Sequence, residues 1–374
     1  MRRIQVMSPS LKGNEKAYVD SVIDSSWVGS SGVYLDRFEE EWARVCGTSH
    51  AISMANGTVS LHLGILALGA GPGDEVIVPA MTYAATANAV RYVGAEPVFV
   101  DIDPTTWCID PLRLESAITR RTKGIVAVHL FGHPADMDSI CSIANLYRLW
   151  VLEDAAQGHF SRYKDRPVGS LGDMASFSFH VGKIITCGEG GALTLSNEKL
   201  AKWICMMRGH GMDPDRRFFH PVTGFNYRLT NLQCSLLCAQ LERHEEILSR
   251  RSRNFKRYEV RLRKVSGIGF QPVAQWARKS PWVFCVTVDK ASFGRSRNEL
   301  IAVLQEHGVE SRPFYTPLHK LPPFREQSER RSEVLPNSDH LSEVGMYLPS
   351  GTDLSDEDID YVCSVVESAQ SSAL

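Results

Sequence analysis

Between residues 50 and 200, short apolar runs alternate with helix-like stretches, and no other feature constrains the fold as much. The runs Val76-Ile77-Val78, Pro97-Val98-Phe99-Val100, Ile125-Val126-Ala127-Val128 and Trp150-Val151-Leu152 are β-rich and lack polar alternation. Strands buried on both faces read this way. Helical patterns flank them at Thr58 to Leu68, Ala84 to Tyr92, Pro111 to Ile118 and Met137 to Tyr147. The rhythm predicts an α/β fold, with a large, mostly parallel sheet covered by helices. Several strands run out into polar residues: Asp101, His129 and the pair Glu153-Asp154. Ligands of such sheets bind outside the carboxyl ends of the strands, so chemistry is expected there.

The texture changes after residue 230. Leu232 to Arg263 reads as one long charged amphipathic helix leading into a smaller lobe. That lobe carries a strand at Trp282 to Val288 and a helix from Arg297 to His307. Residues 318–337, rich in Pro and charge, read as a surface loop. Leu354-Ser355-Asp356-Glu357-Asp358 is a capping pattern that opens a final helix. The expected division is a large domain over residues 1–240 and a small α+β domain over 241–374.

Charge and cysteine usage narrow the function classes. The net charge of −2 gives no global field for nucleic acid or an anionic membrane. Nine cysteines occur with no CxxC pair and no zinc spacing, so no metal is expected and a reducing cytoplasm suits the chain. The opening MRRIQVMSPSLKGNE lacks the apolar core of a signal peptide. No apolar run approaches the ~18 residues that a membrane helix needs.

Three constellations could carry chemistry. Asn56-Gly57-Thr58-Val59-Ser60 precedes a helix, where free N–H groups and the dipole favour a phosphate; taken alone, these residues read more readily as a plain helix cap. Asp154 closes a buried strand, which suits either the ring nitrogen of a heteroaromatic cofactor or an internal salt bridge. Lys183 lies between the aromatic strand Ser176 to Phe179 and the turn Gly188-Glu189-Gly190-Gly191. A desolvated lysine there could condense with a carbonyl; a solvated surface charge is the bland alternative. Taken together, the phosphate cup, the strand-end carboxylate and a lysine 29 residues further on are the groups that pyridoxal phosphate requires.

From about Ser10 to Val366 the sequence resembles the DegT/DnrJ/EryC1/StrS sugar-nucleotide aminotransferases, which are fold-type-I pyridoxal-phosphate enzymes. The segments Ser25 to Gly32, Asn56-Gly57-Thr58, Gly73 to Pro79 with Thr82-Tyr83, and His129 to Pro134 carry the resemblance, with Glu153-Asp154, Ser176 to Gly191 and Gly224 to Arg228. Within the family, Gly211 to Asn231 and Arg312-Pro313-Phe314 are most similar to the members that act on GDP-4-keto-6-deoxymannose. The resemblance implies pyridoxal 5'-phosphate as cofactor and L-glutamate as amino donor. The acceptor would be the C4 ketone of a nucleotide-linked 4-keto-6-deoxy sugar, and the product would feed polysaccharide or glycoside synthesis. It makes Lys183 the Schiff-base lysine and Asp154 the partner of the pyridine nitrogen. Gln157 would bond the cofactor's phenolic oxygen, and Tyr83 would stack on its ring. Gly57, Thr58 and Ser178 would hold the phosphate, as would Asn226 from a neighbouring subunit, so a homodimer with shared sites is implied. Trp27, Phe314 and His319 fall in segments that line the sugar-nucleotide site of relatives.

Two positions depart from the family pattern. Phe160 stands where Gly often follows the histidine of the Asp154 to His159 run. Phe179-His180-Val181-Gly182-Lys183-Ile184 replaces the subgroup's Phe-Phe-Gly-Asn-Lys-Thr. The second departure keeps UDP- and dTDP-linked keto sugars, aminated at C3 or C4, as alternatives. Dehydratase relatives carry His at the position of Lys183. A nicotinamide oxidoreductase would place a glycine cluster after its first strand, whereas Gly69 to Gly73 precedes Val76. A binding protein that had kept only the fold would be expected to lose the lysine or the aspartate.

Overall fold

The structure, a computed structural model, describes residues 3–370; residues 1–2 and 371–374, the outer ends of the two expected domains, lie outside the described residues. The chain opens with α1 (Glu15–Ser25), α2 (Val33–Cys46), β1 (His50–Met54), α3 (Gly57–Ala67), β2 (Glu75–Pro79), α4 (Ala85–Tyr92) and β3 (Glu96–Val100). It continues through α5 (Leu114–Ala117), β4 (Thr122–Val128), α6 (Met137–Tyr147) and β5 (Trp150–Asp154). A short hairpin, β6 (Arg162–Tyr163) and β7 (Arg166–Pro167), precedes β8 (Met174–Ser178), β9 (Gly191–Leu195) and α7 (Glu198–Arg208). Next come α8 (Asn231–Leu241), α9 (His244–Leu262), β10 (Ile268–Phe270), β11 (Ala277–Arg278), β12 (Phe284–Val288), α10 (Lys290–Phe293) and α11 (Arg297–Glu306). The chain closes with β13 (Arg312–Pro313), α12 (Pro322–Arg331), α13 (Pro336–Val344), β14 (Gly345–Leu348) and α14 (Asp356–Ala369).

Seven strands form one sheet in the order β1-β9-β8-β5-β4-β2-β3. β2 pairs in parallel with β3 and β4, β4 with β5, and β5 with β8. Only β9 runs against its neighbours β8 and β1. The carboxyl ends of β1, β2, β4, β5 and β8 therefore share one edge. Every residue of β2, β8 and β9 is buried, which explains the absence of polar alternation in the sequence. Ile77 faces one core cluster with Trp42 and Phe177, while Val76 and Val78 face a second with Ile52 and Leu193. A four-stranded antiparallel sheet, β10-β12-β14-β13, carries a third core between α9, α11 and α14.

Two sequence expectations are corrected. The long helix from Leu232 to Arg263 is two helices, α8 and α9, broken at Glu242-Arg243. Glu242 accepts hydrogen bonds from Asn14, Tyr18 and Arg37, and this anchoring to α1 and α2 overrides the helical pattern. Residues 318–337 are not a loop. They hold a 3-10 turn, α12 and the start of α13, and Pro322 and Pro336 each open a helix. Phe324 is buried against Phe99, with ring centroids 5.7 Å apart, so this segment packs on the large sheet. Among the described residues, no helix is long and apolar enough to cross a membrane.

Candidate active site

The parallel register sets Asp154 opposite Val128 of β4 and Ser176 of β8, at the carboxyl edge of the sheet. Its carboxylate is 5 % exposed. Burial pushes its pKa up, and the bonds from Thr86 and Ala156 and the charge of Lys183 act the other way. Thr86 Oγ1 donates to Asp154 Oδ2 at 2.7 Å, and the Ala156 N–H donates to Oδ1 at 3.2 Å. One turn further on, the Phe131 N–H donates to Gln157 Oε1 at 2.9 Å. That bond fixes the amide and leaves its NH₂ as a donor.

Lys183 stands on the β8–β9 connection, which is closed by Phe179 N–H to Gly190 O at 2.7 Å and Val181 N–H to Gly188 O at 2.9 Å. Gln240 of α8 clamps the same loop through both its amide atoms, at 3.0 and 2.6 Å from Thr186. The Lys183 ammonium lies 4.2 Å from the centroid of the Trp282 ring. The Trp282 indole N–H in turn donates to Gly182 O at 2.7 Å. Burial lowers the Lys183 pKa to about 8, while the charge of Asp154 acts to raise it. A neutral amine is therefore accessible near neutral pH, as nucleophilic chemistry requires.

The third element is the start of α3. Asn56 caps it by accepting from the Val59 N–H at 3.0 Å, and the Ser60 N–H bonds the Asn56 carbonyl. The N–H groups of Gly57 and Thr58 have no partner among the described residues. A Cβ on Gly57 would come within 2.7 Å of Ser178 Cβ, so glycine keeps the gap between the α3 N-terminus and Ser178 open. Tyr83, 61 % exposed beyond β2, touches Tyr315 edge-on at 5.8 Å and leaves its ring free.

The other expected site residues differ in their exposure and surroundings. Asn226 is exposed, bridged to Gly209, and takes long bonds of 3.4 Å from Arg228. Trp27 is 63 % exposed and lines a cleft with Ser21, Val33 and Asn231. Phe314 is buried in an aromatic core, 4.4 Å from Phe131 and 5.6 Å from Trp107. His319 is paired with Asp339 at 3.1 Å. Sequence reasoning missed Thr86 and Trp282. Thr86 had no motif beyond its neighbours Thr82 and Tyr83, and Trp282 is distant from Lys183 along the chain. His159, fully buried beside Trp42, Phe177 and Phe179, is held neutral by burial with a pKa of about 3.

These groups fit pyridoxal phosphate. The open gap at Gly57 and the free N–H groups suit its phosphate. The buried Asp154 lacks a full cationic partner, as a group awaiting a protonated ring nitrogen would. Among the described residues, no cluster of acidic, His and Cys side chains could hold a metal ion. Fold-type-I pyridoxal-phosphate transferases arrange such groups on such a sheet, and the chain is a transaminase of that class. Residues 9–367 match the DegT/DnrJ/EryC1/StrS aminotransferase family, and the chain belongs to it. It is 43% identical over 366 residues to the GDP-perosamine synthase of Caulobacter vibrioides, covering 98% of each chain. Identity to the GDP-perosamine synthase of Escherichia coli O157:H7 is 37%, again over 98% of both. The PLP-form structure of Spr1654 from Streptococcus pneumoniae superposes with a TM-score of 0.93 at 29% identity, covering 100% of both chains.

Proposed function

We propose that the enzyme moves the amino group of L-glutamate to the C4 ketone of GDP-4-keto-6-deoxymannose, giving GDP-perosamine. The observation that carries this reading is the 43% identity to the Caulobacter vibrioides GDP-perosamine synthase, spread over 98% of both chains. When bound, the cofactor supplies an aldehyde that carries the amino group and a ring that takes up electrons. Lys183 Nζ is the base and acid that moves the proton at the substrate carbon, its lowered pKa matching this shuttle. Asp154, fixed by Thr86, holds the ring nitrogen protonated. Gln157 offers its NH₂ to the phenolic oxygen, Tyr83 offers a ring face, and Gly57, Thr58 and Ser178 grip the phosphate.

The exposure of Asn226 supports its service to a neighbouring subunit and hence a homodimer with shared sites. Trp27, in its surface cleft, His319 and Phe314 are the residues we assign to the sugar nucleotide. Nine free cysteines support a cytoplasmic setting. The test is a competition among GDP-, dTDP- and UDP-linked 4-keto-6-deoxy sugars with L-glutamate, following 2-oxoglutarate release. A highest kcat/KM for the GDP sugar is expected. A higher value for the dTDP or UDP sugar would move the enzyme to another branch of the family.

A further inference from the structure

A cleft of about 280 Å³ lies in the small lobe, between α9 and the segment that runs from β10 to β12. Phe255, Phe270 and Phe284 form its apolar wall. Three polar groups in it lack what buried polar groups normally have. Gln271 is 5 % exposed; its NH₂ donates to Thr106 O and Leu130 O, yet its Oε1 has no partner. Ser280 is 2 % exposed and its Oγ has no partner. Lys279 makes no hydrogen bond or ion pair among the described residues; burial lowers its pKa, and the nearby thiols of Cys285 and Cys108 act to raise it. Buried polar groups left without a partner are destabilising unless something satisfies them.

From this geometry we infer a second small-molecule site, built to take a single-ring aromatic carboxylate that also carries a hydroxyl group. The charge count selects a monoanion. At the rim Glu259 is shared between Lys256, 3.5 Å away, and Arg263, so the two lysines of the lining outnumber its single carboxylate, and Lys279 has no counter-charge in the cleft. Three phenyl walls select a flat apolar body. Ser280 Oγ adds a donor for the carboxylate, and Gln271 Oε1 needs a donor from the ligand, which the hydroxyl supplies. The volume holds one ring and excludes a nucleotide sugar. None of the lining residues belongs to the Lys183 site, although Trp282, which carries Lys183, is only three residues from Lys279.

The test uses cofactor-loaded enzyme and 4-hydroxybenzoate as probe, with phenol as the uncharged control. Ligand-observed NMR titration is expected to show saturable binding of 4-hydroxybenzoate. That binding should weaken at least tenfold in Lys279→Met, while phenol should bind more weakly than 4-hydroxybenzoate and equally to both proteins. A second measurement needs no variant: acetylation of Lys279 in the native enzyme, mapped by mass spectrometry, should slow when 4-hydroxybenzoate is present. Absent binding, equal binding to wild type and Lys279→Met, or unchanged acetylation of Lys279 would each overturn the assignment.

Discussion

Burial sets the behaviour of both charged residues at the centre of the site. Lys183 loses its proton near pH 8 because its ammonium is desolvated, and Asp154 partly restores the charge. The sign of a pH effect follows. Below about pH 8 most of the amine is protonated and only its neutral fraction can bond the cofactor's aldehyde, so loading of the apoenzyme should accelerate as pH rises through that value. Asp154→Asn removes the anion that raises the lysine pKa, so the midpoint of loading rate against pH should move down. A midpoint unmoved by that substitution, or one at the ordinary lysine value, would contradict the assignment. Phe160 shows a different residue-scale effect. It adopts a left-handed φ of 62°, a conformation that glycine takes freely and a residue with a side chain does not. Its ring stacks on His244 at 5.0 Å and meets Trp42 edge-on at 5.6 Å, contacts that offset a backbone cost of about 1–2 kcal/mol.

At the scale of elements, the α3 N-terminus and the end of β8 face each other at Gly57 and Ser178, the proposed phosphate cup. Gly57→Ala would press a methyl onto Ser178, at 2.7 Å from its Cβ. Cofactor affinity should fall at least tenfold, about 1.4 kcal/mol, as read by dialysis and spectrophotometric titration. An unchanged dissociation constant would remove Gly57 from the cup. The elements also mark what was legible in the sequence. Met137 to Tyr147 and the runs that became β2 to β5 could be read because local periodicity and burial agree there. The α8–α9 break and the α12–α13 pair could not. Glu242 is held by residues more than 200 positions away, and the apolar anchors Leu318, Phe324 and Leu335 are too few and too spread among charges to form a stripe. Prolines at helix starts were the available signal, and they read as loop residues instead. For the site, Asp154 at a strand end, Lys183 before a glycine-rich turn and Gly57 at a helix start could be singled out because each sits in a local pattern. Thr86 and Trp282 could not, because their contacts are made only by the closed fold.

At the scale of the whole molecule, the sheet brings Lys183, Asp154 and Gly57 to one edge, while Asn226 lies exposed. The proposed shared-site homodimer predicts complementation. On that proposal, co-expressed Lys183→Ala and Asn226→Ala chains would form mixed dimers in which one site has both native residues. At limiting cofactor, their activity should exceed the mean of the two parents; activity equal to that mean would refute sharing. The central claim, a pyridoxal-phosphate transaminase that uses L-glutamate at Lys183, is tested most directly by the visible spectrum of the purified protein during glutamate addition. The account predicts a yellow protein whose visible band bleaches with L-glutamate and returns when a 4-keto sugar nucleotide is added, with no such band in Lys183→Ala. A protein that stays colourless after incubation with pyridoxal phosphate, or a band indifferent to glutamate, would contradict it.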